Sequence, residues 1–468
     1  MKVLTGSLHH QTAITDALKC ICGDNFVFTD AETLYNFEHD ETLDFRFPFD
    51  ILVKPATTEE IAAIVKLCNQ YRIPITPRGG GSGVTGGALP VRRGVVLSME
   101  RLNNIIEFNK TDRYIIAEAG VITADLCDYA EKMGLYFPVA PSSSSYSFIG
   151  GNVAENAGSI NSCKYGTTSQ YVLNLEVVLA SGDIIWTGAN VSKNVTGLDI
   201  TRLFVGSEGI LGIITKVVYR LVHKPAYEVS LLAAFESTAA ACQAIMAIKA
   251  SGLLPSAVEL IGSQALRLTA AHLQTSMPQV NEYIHAHLLI NIQEHTETAL
   301  LDVMNKLETL LTAYTAENLL VATTAWEKDT LWKLRFSIGA AMTSGGKKYR
   351  DVDACVPLSI LYSYIQQVEA ICIRAGIQVI YFGHAMDGNL HTMLLLNEAD
   401  EQHILQQVLR EIYQYAIDNG GVISGEHGIG LLQKEFIPMQ FTAPHLALLK
   451  NVKQLFDPNG IINPGKIF

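Results

Sequence analysis

"PRGGGSGVTGG" occupies residues 77–87, and within it Gly81, Gly83 and Gly86 spell G-x-G-x-x-G. The fold turns on the element that comes after this loop. A Rossmann unit runs from strand to glycine turn to a helix whose N-terminus faces a pyrophosphate. Here the next residues are "ALPVRRGVVLSME" (88–100), where Pro90 and Gly94 break any helix and "GVVLS" reads as a strand. The loop therefore joins strand to strand, which disfavours a nicotinamide fingerprint. The acidic residue expected some 20 positions on is met by Glu100 or Glu107, so that criterion does not discriminate. Two readings are left: a nest of backbone N–H groups around phosphate oxygens, or a plain glycine-rich connector. A second small-residue stretch, "APSSSSYSFIGGNVAENAGSINSCKYG" (140–166), favours the first, because two loops open to close backbone approach imply one long, flat ligand.

The flanking sequence is mixed α and β. "TTEEIAAIVKLCNQYR" (57–72) carries a capping box (Thr57, Glu60) and an apolar stripe at Ile61, Ile64, Val65 and Cys68, predicting a helix that leads into the strand "IPIT". "RYIIAEAGV" predicts a strand, a helix is expected between Thr123 and Gly134, and "LNLEVVLASGDII" predicts a hairpin turning at Ser181 and Gly182. From about Tyr227, long helices such as "DTLWKLRFSIGAAM" alternate with strands such as "HAHLLINIQE" and "IQVIYFGHA". The final stretch is rich in Gly, Pro and Asn and reads as a segment returning onto another part of the fold. The expected organisation is an α+β protein with domains at 1–222 and 223–419 and a C-terminal segment at 420–468.

Composition excludes several classes. The 468 residues hold 34 basic and 46 acidic side chains, a formal charge of −12 that repels phosphate backbones, so no nucleic-acid partner is expected. No apolar run approaches the roughly 20 residues that span a bilayer, and the start lacks a signal-peptide core, so the chain is read as soluble and cytoplasmic. Its eight cysteines form no CxxC pair, which argues against a disulfide framework or an iron–sulfur cluster.

Six stretches together carry a resemblance: "PRGGGSGVTGG" (77–87), "IGGNVAENAGS" with "KYG" (149–166), "KNVTGLDITRLFVGSEGILGIIT" (193–215), "GHAMDGNLH" (383–391), "GEHGIG" (425–430) and "DPNGIINPGKIF" (457–468). In this order they resemble FAD-linked oxidases and dehydrogenases of the vanillyl-alcohol-oxidase type, in the branch acting on D-lactate, glycolate and D-2-hydroxyglutarate. The resemblance implies a vanillyl-alcohol-oxidase-type FAD-binding domain, an α+β cap bearing the substrate site, and a C-terminal segment returning to the active site. It assigns the cofactor to Arg78, Gly79, Gly80, Gly81, Ser82, Gly83, Pro141, Gly150, Gly151, Asn156, Gly158, Gly209, Ile214 and Asn463. No His or Cys occurs in 77–90 or 140–160, so the FAD is expected to be dissociable.

"IQVIYFGHAMDGNLHTMLLL" predicts two strands joined by a two-residue type I′ turn at Asp387-Gly388. In that register Met386 faces Asn389 and His384 faces His391. Opposed imidazoles can share a metal ion, or can merely pack together. "GEHG" adds Glu426 as a third ligand, and two His with one Glu and an open position is a catalytic zinc pattern, manganese or iron being possible with the same set. The resemblance gives the metal to these same positions. His427, diverging from its neighbour Glu426, is left as the base that takes the substrate hydroxyl proton. By the same resemblance Arg335 binds the substrate carboxylate, Lys348 (with Lys347 and Arg350 as alternatives) and Asn389 contact substrate, and Gly339 stands where some 2-hydroxyglutarate-type relatives carry a hydroxyl residue. The implied reaction transfers hydride from a D-2-hydroxy acid to flavin N5. Reoxidation then needs an external acceptor: an electron-transfer flavoprotein, a quinone, a cytochrome, an iron–sulfur subunit or dioxygen. A homodimer is compatible with the sequence. Competing readings are a non-redox flavoprotein of the alkylglycerone-phosphate-synthase type, a zinc hydrolase using the same His and Glu residues, and a flavin-binding subunit of a larger oxidase.

Overall fold

The computed structural model describes residues 8–275, 281–314, 317–344, 348–396 and 402–468. The chain divides into two compact units: the residues up to Ser159 with Thr167–His223 and Glu426–Phe468 form the first, and Ile160–Gly166 with Lys224–Gly425 form the second.

The first unit contains two sheets. Strands β1 (Val27–Phe28), β2 (Ile51–Val53), β3 (Ile75–Arg78) and β4 (Val95–Ser98) form a sheet of order β1-β2-β4-β3, with β2, β4 and β3 parallel. Strands β5 (Ile105–Asn109), β6 (Tyr114–Glu118), β7 (Val172–Val178), β8 (Ile184–Trp186) and β9 (Ile213–Arg220) form an antiparallel sheet of order β5-β6-β9-β7-β8. Ile61, Ile64, Val65 and Cys68, the apolar stripe of helix Thr58–Tyr71, are buried as the periodicity predicts. Thr57 Oγ1 accepts from the Glu60 amide at 3.1 Å, while the Glu60 carboxylate reaches back one residue beyond the cap, to the Ala56 amide at 2.7 Å. The glycine-rich loop leaves β3 and ends at β4 with no helix between them. The C-terminal segment lies along β3: the Ile75 amide donates to Ile461 O and the Asn463 amide to Ile75 O, both at 2.7 Å.

The second unit is built on one antiparallel sheet. Its strands are β10 (Tyr227–Phe235), β11 (Ala257–Gly262), β12 (Ala286–Glu294), β13 (Glu317–Ala322), β14 (Lys348–Val352), β15 (Gln378–His384) and β16 (His391–Leu396), in the order β13-β10-β12-β11-β15-β16-β14. Leu266, Leu331, Leu334, Ile338 and Met342 come from the helices Ser263–His272, Ala325–Phe336 and Ile338–Ser344. They pack on Ile261, Ile380, Phe382, Met393 and Leu395, giving that sheet face an apolar core. The single helix expected over "DTLWKLRFSIGAAM" is therefore two, parted at Ser337. Cys22, Cys68, Cys242 and Cys372 are buried, and among the described residues every cysteine is a free thiol. No helix of the described residues is long and apolar enough to cross a membrane.

One buried carboxylate ties the first unit's elements together. Glu176 on β7 accepts from Thr58 Oγ1 (2.6 Å), Thr215 Oγ1 (2.9 Å) and Lys216 Nζ (3.1 Å), so a helix start and two strands converge on it. Replacing Glu176 with Ala strands these donors, and urea unfolding should show a loss of about 2–3 kcal/mol.

Candidate active site

The histidine hairpin departs from the predicted turn. Phe382, not His384, pairs with His391, and the connection is a 3-10 turn at Ala385–Asp387 closed by Gly388 at φ 76°. The longer connection has a local cause. A Cβ at Gly388 would stand 1.9 Å from Val356 O, so the turn is packed against neighbouring backbone and held there by the Val356 amide, which donates to Gly388 O at 3.0 Å. The register differs from the predicted one by two residues, which keeps each side chain on its face. His384 and His391 thus remain on one side of the sheet, with ring centroids 5.4 Å apart, and both are buried.

A residue outside the sequence prediction organises this pair. Glu259 on β11 is fully buried and takes His384 Nδ1 on Oε1 and Arg335 Nε on Oε2, each at 2.5 Å. Burial alone would raise its pKa, but His384 and Arg335 outweigh that and hold the carboxyl at about 2. With Nδ1 committed to Glu259, His384 has only Nε2 to offer a metal, the usual carboxylate–histidine arrangement. Arg335 is not a solvated helix residue: it is 8% exposed, and its guanidinium carbon sits 4.5 Å from the Phe382 ring centre. The sequence signal for Glu259 was a lone acid in the otherwise apolar strand "AVELIG".

Asp353, also missed, sets the chain just before the Glu-His pair. Its carboxylate accepts from the Gly425 amide (2.9 Å), Ser424 Oγ (2.8 Å) and Asn389 Nδ2 (2.9 Å). Gly425 is required there, because a Cβ would meet Asn389 Nδ2 at 2.2 Å. Asn389 is therefore buried as a brace between β16 and this turn. On β14, Tyr349 and Asp351 share the histidine face: Tyr349 packs on its core, and an Asp351 oxygen lies 3.9 Å from His391 Nδ1. Alternation puts Lys348 and Arg350 on the other face, where Arg350 meets Tyr413. Lys348 is exposed there, so the structure does not bring it to the histidines, and Lys347 lies outside the described residues.

The first unit holds the residues assigned to the cofactor. Gly79 and Gly80 pack on the second small-residue stretch, where a Cβ on Gly80 would fall 2.1 Å from Tyr146 O. A Cβ on Gly83 or Gly151 would meet nothing within 4 Å, so these two backbones border open space. Arg78, Ser82, Pro141, Gly150, Gly158 and Ile214 lie in the same unit. Asn156 is left-handed at φ 53° and its Oδ1 accepts from Thr167 and Ser169. Asn463 Nδ2 donates to Gly87 O (3.0 Å) and Glu208 O (2.9 Å), and Gly209 lies beside it. Arg78 Nη1 and Asn463 Oδ1 are buried with no partner among the described residues. Such orphans fit a polar ligand that completes the site. Thr85, within the glycine loop, donates to the backbone carbonyl of His427 at 3.0 Å.

Comparison with known proteins shows the family. Residues 49–188 match the family described as FAD binding domain, and residues 224–467 match that of FAD linked oxidases, C-terminal domain. The chain is 36% identical to glycolate oxidase subunit GlcD of Bacillus subtilis over 95% of this chain and 94% of that protein. It is 34% identical to a D-lactate dehydrogenase of Anaerostipes hadrus over 92% of each. Among solved structures, p-cresol methylhydroxylase with substrate bound aligns with a TM-score of 0.80 over 98% of this chain and 97% of that one, at 17% identity, a likeness of fold. The chain accordingly belongs to the FAD-linked oxidases, as an oxidoreductase whose FAD-binding unit has the vanillyl-alcohol-oxidase-type fold.

Proposed function

We propose that this protein oxidises a small D-2-hydroxy acid of the D-lactate or glycolate kind to the 2-oxo acid. FAD is held without a covalent bond, and a divalent metal, zinc first, is held by His384, His391 and Glu426. The observation that supports the metal is the Glu259–His384 hydrogen bond, which commits Nδ1 to a carboxylate and so designates Nε2 as the ligand atom, the usual arrangement of a metal-binding histidine. The relatives' names support the substrate class. Open space at Gly83 and Gly151 and the orphaned atoms of Arg78 and Asn463 support the cofactor.

When bound, FAD accepts the hydride that leaves the substrate Cα, and the metal polarises the hydroxyl oxygen. The remaining work belongs to side chains. His427 takes the hydroxyl proton, its backbone held by Thr85. Glu426 comes directly after Gly425, whose amide is fixed by Asp353, so the third ligand leaves a rigid turn. Arg335 uses one of its five N–H donors on Glu259, and the others are assigned to the substrate carboxylate. Gly339, beside the Arg335 helix, brings no hydroxyl group for a second carboxylate, which favours a monocarboxylic substrate. The acceptor that reoxidises the flavin is external, and the name "subunit" carried by the Bacillus relative makes a partner subunit one candidate.

Anaerobic spectra of the purified protein should show a flavin band bleached by D-lactate or glycolate and untouched by L-lactate. A band that no hydroxy acid bleaches would overturn the redox reading. Chelation should abolish turnover while FAD stays bound, and zinc should restore it; His391→Ala with full turnover would remove the metal from the mechanism. Glu259→Gln should weaken metal binding roughly 10–100-fold in a competition titration, since the histidine loses its ionic anchor.

A further inference from the structure

The first unit contains two acidic side chains that the proposed chemistry leaves unused. Glu155 ends the helix Ile149–Glu155, and Glu208 stands in the turn before β9 with φ 51°. Glu208 accepts the amides of Ile429 (2.8 Å) and Gly430 (2.6 Å). A Cβ on Gly428 would lie 2.5 Å from Glu155 Oε2 and 3.2 Å from Glu208 Oε1, so the two carboxyl groups meet over this glycine. On its other side Glu155 Oε1 would be 3.0 Å from a Cβ on Gly87. Glu155 thus fills a space between the glycine-rich loop and the "GEHGIG" turn that exists because both neighbours lack a side chain.

We infer that Glu155 and Glu208 are positioning residues: their carboxyl groups clamp the turn Gly428–Gly430, and with it His427, as a pair that bears one negative charge instead of two. Glu208 is buried and Glu155, half-buried, has its Oε2 sealed from water, so a second negative charge here is repelled by the first, and neither has a cation in hydrogen-bond contact among the described residues. The charge belongs on Glu208, which has two amide donors. Glu155 sits at a helix C-terminus, where a negative charge is disfavoured, and its Oε2 is buried with no partner among the described residues. The charged groups facing the pair are Asp40 and Lys466, with Lys434 beyond Lys466. Burial, then Glu208 and Asp40, push the Glu155 carboxyl well above its ordinary range. Burial also raises Glu208, but the two amides and Lys466 oppose it. The link to His427 rests on the base role proposed above; the charge state of the pair does not.

A carboxyl raised on folding binds an extra proton in the folded state, so stability falls as pH rises from the ordinary carboxylate range through the raised value. The melting temperature of the FAD-loaded protein, tracked from about pH 5 to pH 9, should fall for this reason, and Glu155→Gln should flatten that decline. An unchanged pH slope in Glu155→Gln would overturn the single-charge pair. Glu155→Ala should lower kcat roughly 10–100-fold with little change in KM and shift the acidic limb of the pH–rate profile, where the base loses its proton, and Glu155→Gln should rescue both. Wild-type kcat and pH profile in Glu155→Ala would overturn the positioning role. If no hydroxy acid reduces the flavin, the melting series still decides the charge state, so failure of the substrate reading is distinguishable from failure of this one.

Discussion

The carboxylate of Glu259 lies at 0% exposure and keeps its charge only because two partners share it. That requirement shapes the second unit. β11 must deliver the acid, β15 the histidine and helix Ala325–Phe336 the arginine, and the apolar core holding these elements includes Ile261, Phe382 and Leu334. A buried ion cluster is weak evidence for stability, since well-packed apolar residues often serve equally well. What Glu259 supplies is orientation. The His384 ring can neither flip nor change which nitrogen it presents without leaving a buried carboxylate oxygen unpaired.

The first unit solves a different problem, close backbone approach. At Gly80 a side chain would collide with Tyr146 O, and at Gly150 a Cβ would stand 2.6 Å from the Ala119 Cβ. These glycines serve close packing, Gly80 against the backbone at Tyr146 and the helical Gly150 against Ala119, whereas Gly83 and Gly151 face space. A glycine-rich stretch therefore mixes two roles, structural and ligand-facing, and composition alone does not separate them. The two carboxyl groups at Gly428 extend the same logic, since the turn approaches them so closely only without a side chain.

Much of this was legible in the sequence where the signal is local. Pro90 and Gly94 told against a helix after the glycine loop, and Thr57 with the stripe from Ile61 to Cys68 marked a helix start and its buried face. The hairpin was misjudged by two residues, yet both histidines stayed on one face because strand side chains repeat every two residues. The illegible parts depend on pairing between distant strands. Glu259 lies 125 positions from His384, and only the β11–β15 register places them together. Lys348 looked as suitable as its neighbours until the β14–β16 pairing set which face each occupies. Glu155 and Glu208 were hidden inside motifs read for their glycines.

The same electrostatics bears on how the proposed reaction divides its labour. A carboxylate bonded to a metal-binding imidazole makes that imidazole a stronger donor, which tightens the metal and softens its pull on the substrate oxygen. Arg335 offsets part of this effect by holding the opposite oxygen of Glu259. In the proposed reaction a metal held this way would share removal of the hydroxyl proton with a separate base. His427 can serve because its own turn is fixed, by Thr85 at its carbonyl and Glu208 at the amides of Ile429 and Gly430. Glu426 and His427 are consecutive in the chain, so the contacts that fix this turn bear on the proposed ligand and the proposed base together.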